Sequence, residues 1–141
     1  MWWLIRATVL LSGLLLLSVE DFRTRRVNIS GLVLLSVVAL LLHLLEGTEV
    51  VELGIALLPA VGLGILYLLM PGRMGVGDIW VVGIIGLLEG GVFTVWCVVI
   101  GAVMAFFRIL FGKFRKGEIA LVPYLLLASE VLLLCERLSN G

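Results

Sequence analysis

The chain has 141 residues, of which 62% are hydrophobic and 14% charged, and its mean hydropathy is +1.27. Soluble domains are about half apolar and about a quarter charged, so this composition excludes a water-soluble globule and points to chain embedded in lipid. Ten basic and ten acidic residues cancel, which leaves no basic field to suggest nucleic acid as a partner and moves the information to where the charges lie.

Apolar runs over residues 1–19, 29–45, 53–70, 78–88, 91–110 and 119–135 predict six helices. That is near the ceiling set for this length by about 20 residues per span. Strands are disfavoured because the runs are long and Leu-rich, and an open sheet in lipid leaves backbone groups unpaired. The expected fold class is all-α: a polytopic bundle of about six transmembrane helices, forming one membrane-embedded domain over residues 1–141.

The first run, with Arg6 near its start, has the outline of a signal peptide. It meets Glu20, Asp21 and three arginines instead of a small-residue cleavage site, and is read as a retained helix. The second carries the only histidine, His43, near its end, where it is expected at the interface; no partner completes a zinc or Ser-His site. The third stops at Pro71 and is followed by Gly72-Arg73-Met74-Gly75-Val76-Gly77, whose glycines permit an unwound, closely approachable backbone just before Asp78. In the fourth and fifth, Gly86 with Gly90 and Gly101 with Ala105 have the small-x-x-x-small spacing that lets helices approach. Cys97 and Cys135 lie inside apolar runs and are expected as buried small groups, not a disulfide or metal site.

Arg23, Arg25, Arg26, Arg73, Arg108, Lys113, Arg115 and Lys116 collect on one side of this layout, while Glu46, Glu49, Glu52, Glu89 and Glu136 fall on the other. The positive-inside rule makes the basic side cytosolic and puts both termini outside.

Aspartate occurs only at Asp21 and Asp78, and this layout sends both to the cytosolic face. From Asp78 to Glu89 the chain spans about 18 Å of helix against a hydrocarbon core of about 30 Å. If Glu89 reaches the outer surface, Asp78 lies below the inner one, in a cavity open to the cytosol or under a locally thinned bilayer. The free N–H groups of a helix N-terminus favour the ionised form of Asp78. Two adjoining carboxylates share one proton, as in aspartic proteases, and can hydrolyse a peptide without metal or cofactor. The bland alternative stands beside this: Asp21 a helix-end acid neutralised by the following arginines, Asp78 an N-cap.

Two segments resemble the type IV prepilin peptidases and the archaeal preflagellin peptidases, the GxGD intramembrane aspartic proteases. They are Asp21-Phe22-Arg23-Thr24-Arg25-Arg26-Val27-Asn28 and Gly75-Val76-Gly77-Asp78-Ile79, with a weaker echo at Val122-Pro123-Tyr124-Leu125. The resemblance implies Asp21 and Asp78 as the catalytic pair, Gly75 and Gly77 as the supporting loop, and no cofactor. It implies a substrate with a short basic cytosolic leader ahead of an apolar helix, as in prepilin-like or archaellin precursors. Glu20 and Glu118, on the same face, are candidates for holding the leader's cations. Asn28 and Ile29 stand where the family often has Pro-Asn, and Trp80 where a lysine is frequent. No Cys-rich cytosolic segment of the kind that accompanies N-methylation is seen, so protease activity without methyltransferase activity is expected. A small ion-coupled transporter using the aspartates as cation or proton sites is the competing function, with Glu130 inside the sixth run as the residue that speaks for it.

Overall fold

The computed structural model describes residues 1–24, 28–47, 49–69, 75–111 and 121–139, the side chains of 21–24 and 108–111 apart. Six helices account for nearly all of it: α1 (Trp2–Thr24), α2 (Ile29–Leu45), α3 (Val50–Leu69), α4 (Val76–Glu89), α5 (Gly91–Phe111) and α6 (Val122–Ser139). No strand occurs among the described residues. Trp2–Glu20 and Val50–Leu69 are long and apolar enough to cross a membrane, and Ile29–Leu45 and Gly91–Phe107 are shorter apolar helices. The molecule is thus the all-helical, membrane-type bundle that its composition demands. The last helix starts and ends three to four residues later than the apolar run 119–135 suggests, because Leu121 carries the first helical acceptors, for the N–H groups of Tyr124 and Leu125.

α4 is the hub, packed against α1, α2, α3 and α5, while α6 closes the outside by packing on α1 and α5. Its sequence explains this place: it is apolar on every side, and Val81, Val82, Gly83, Ile84, Ile85, Gly86 and Leu88 are all buried. The surrounding helices turn Leu16, Leu34, Leu58, Leu68 and Trp96 outward, an apolar coat suited to lipid.

Glycine sets the closest approaches. A Cβ on Gly86 would strike the carbonyl oxygen of Ala56, and one on Gly91 the carbonyl oxygen of Ile55. Pro59 lies inside α3 and has no N–H to offer Ile55 four residues back, the same carbonyl against which Gly91 lies. Gly101 likewise admits Leu125 of α6. Gly90 has a different role from the one its spacing suggests: nothing would meet a Cβ there, and its φ of +91° makes the break between α4 and α5. Cys97 is buried, and its Sγ–H donates to the Leu125 carbonyl at 3.4 Å. Cys135 departs from expectation and is exposed, because it lies in the end of α6, where residues 134–139 are all exposed.

Candidate active site

Asp78 is the third residue of α4, one turn inside the helix rather than its N-cap. The N-cap is Gly75, extended at φ −81° and ψ 143°, and it has no side chain with which to cap. Asp78 supplies the missing contact from inside. Its Oδ2 accepts the Gly75 N–H at 3.3 Å, while its own N–H donates to the Gly75 carbonyl at 3.1 Å. This is the reaching-back half of a capping box, and it holds a half-buried carboxylate at the N-terminal end of α4, where the helix dipole favours negative charge. Gly75 is the extended glycine that the approach to Asp78 needs; Gly77 is already helical, a correction to the expectation of unwound backbone up to Asp78. Gly72 lies outside the described residues.

Asp21 lies in the last turn of α1, and its side chain is outside the description. The helix geometry nevertheless fixes which end of the bundle it occupies. Arg6, in the second turn of α1, makes an ion pair with Glu46 at the end of α2, 3.0 Å between Nη1 and Oε2. Arg6 also shares a cavity of about 240 Å³ with His43, Glu52 and Glu89. The start of α1 therefore lies beside the end of α4, and because the two helices pack together they run antiparallel. Counting back from this cavity, Asp21 is about 22 Å of helix from Arg6, and Asp78 about 17 Å from Glu89. Both aspartate-bearing turns thus point to the opposite end from the glutamate-rich cavity.

Glu20 is half-buried and accepts a hydrogen bond from Asn28 Nδ2 at 3.3 Å. Glu118, the other candidate for the substrate's cations, lies outside the described residues, as do Arg25, Arg26 and Arg73. The sequence reading also missed two features. His43 is buried against protein, 7% exposed, with Nδ1 3.2 Å from the Leu87 carbonyl, and it lines the cavity. Arg6, read only for its likeness to a signal peptide, is paired with Glu46 at the acidic end; an arginine two turns into an apolar helix whose nearest loops carry only glutamates was the available signal.

A carboxylate at a glycine-capped helix start, with a second carboxylate-bearing turn at the same bundle end, has the parts for proton transfer to and from a water and a peptide carbonyl. Among the described residues no group of three His, Cys, Asp or Glu side chains is gathered as metal ligands. The family model of the type IV leader peptidases matches residues 8–134, which includes Asp21 and Asp78 but not Arg6. No curated protein and no solved structure gives a significant match.

Proposed function

From the premise that this chain belongs to the type IV leader peptidase family, and so is a peptidase of membrane-associated type, we propose that it is an aspartic endopeptidase whose catalytic pair is Asp21 and Asp78. Its substrate is a prepilin-like or archaellin precursor, cut between a short basic leader and the apolar helix that follows. The observation that carries this reading is the antiparallel packing of α1 on α4, which brings the turns bearing the two aspartates of the sequence toward one bundle end.

In the proposed reaction the pair holds one proton. The ionised carboxylate takes a proton from water as the water oxygen bonds to the scissile carbonyl carbon, and the protonated partner gives its proton to the carbonyl oxygen. Collapse of the resulting diol breaks the C–N bond, with a proton passing to the departing amine and the pair returning to its one-proton state. No metal or covalent intermediate takes part, and no methyl group is transferred. α4 is 14 residues long, about 21 Å against a hydrocarbon core of about 30 Å, so with Glu89 at the outer surface a site at the start of α4 lies below the inner one and is reached by water from that side. The positive-inside rule, applied to the basic connections of the sequence, supports a cytosolic site with both termini outside, and the leader's cations are drawn to Glu20 and Glu118.

The test is cleavage of a prepilin-like peptide by protein purified in detergent, comparing the parent with Asp21→Asn and Asp78→Asn. A single cut is expected, absent in both variants at unchanged helicity. Cleavage that persists in either variant, or that depends on added metal, overturns the assignment.

A further inference from the structure

Asn28 is the N-cap of α2, and the two ends of its side-chain amide are engaged on opposite sides of the α1–α2 connection. Its Oδ1 accepts the Ser30 N–H at 3.0 Å, and its backbone carbonyl accepts the Leu32 N–H at 3.0 Å. These two bonds fix the residue to α2. Its amide nitrogen reaches the other way, to Glu20 Oε1 at 3.3 Å, in the last turn of α1 and one residue before Asp21. Below this point Leu17 lies against Gly31 and Leu35 against Gly13.

The need for such a contact follows from where Asp21 sits. The last turn of a helix has carbonyls with no helical partner and frays at low cost. A group in that turn that must meet a second carboxylate on another helix tolerates little of this, since a misplacement of about 1 Å can cost about 100-fold in rate. The good N-cap residues are Asn, Asp, Ser and Thr. Of these only Asn carries its acceptor and its donor on different atoms, so that one can cap α2 while the other holds a carboxylate of α1. Aspartate would cap equally well and repel Glu20.

We propose that Asn28 is a positioning residue, a two-ended tether that holds the last turn of α1, and with it Asp21, in register for the reaction. The catalytic consequence rests on the assignment of Asp21 to the catalytic pair; the tether itself does not. Its test separates tether from cap by exchanging the polarity of the pair. Asn28→Asp keeps the cap and loses the donor, and in the double variant Asn28→Asp with Glu20→Gln the glutamine amide donates to the new carboxylate.

The expected result is a fall of about tenfold in kcat for Asn28→Asp with KM within about twofold, at unchanged helicity, and recovery of kcat in the double variant to within about threefold of Glu20→Gln alone. Amide exchange of residues 20–24 should quicken in Asn28→Asp and slow again in the double variant. Parental kcat and exchange in Asn28→Asp overturn the tether, as does a double variant that recovers neither. If Asp21→Asn still cleaves, the catalytic assignment falls, while the exchange measurement continues to decide the tether.

Discussion

Replacing Gly86 by alanine puts one methyl where α4 lies directly on the backbone of α3. That methyl would strike the Ala56 carbonyl, with the carbonyl carbon at 3.0 Å, whereas ordinary contact begins near 3.4 Å. A backbone carbonyl has no rotamer to escape into, so α3 and α4 must separate, and overpacking of this kind costs about 1–3 kcal/mol. Alanine also returns up to about 1 kcal/mol of helix propensity, which must be removed from the comparison. Gly83, one turn earlier on the same helix, provides the control: a Cβ there meets only Ala60 Cβ at 3.6 Å and Leu57 Cδ2 at 3.9 Å, both side-chain atoms at comfortable distance. The propensity gain is common to both, so Gly86→Ala should be less stable than Gly83→Ala by about 1–3 kcal/mol. Far-UV circular dichroism during denaturation in mixed micelles measures the difference. Equal stability, or a more stable Gly86→Ala, would refute the close α3–α4 approach and with it the packing that seats α4 at the centre.

Asp78→Ala removes the acceptor for the Gly75 N–H and should cost about 0.5–2 kcal/mol by the same assay, whereas Asp78→Asn keeps an acceptor and should cost less; equal stability of the two would show that the carboxylate does not secure the start of α4. Across Arg6→Met, Glu46→Gln and the double variant, a coupling of about 1 kcal/mol is expected for the partly buried pair, and Arg6→Met should be the worse single change because it leaves the Glu46 and Glu89 carboxylates without their cation. Additivity within error would dissolve the pair. In a Cys135→Ser background, Glu49→Cys should react with a membrane-impermeant maleimide on intact cells and Lys116→Cys only after lysis; the reverse pattern overturns the assigned orientation.

Composition and run length by themselves determined the helical, lipid-embedded class, because about 20 apolar residues can satisfy their backbone in lipid only as a helix. They also singled out Asp21 and Asp78, since two aspartates in so apolar a chain are costly residues. Glycine marked the α2–α3 and α4–α5 breaks for a local reason: Gly47 and Gly90 take a positive φ, which glycine reaches whatever surrounds it. What the tertiary structure alone decided is which helix becomes the centre and what each polar group meets. Nothing local says that α4 rather than any other apolar run is enclosed on all sides, that Gly86 faces a carbonyl while Gly90 faces nothing, or that His43 and Arg6 converge with Glu89 at the end away from Asp78. Those facts depend on pairs of residues up to about 80 positions apart, and a periodicity read along one helix carries no term for the helix that will lie against it.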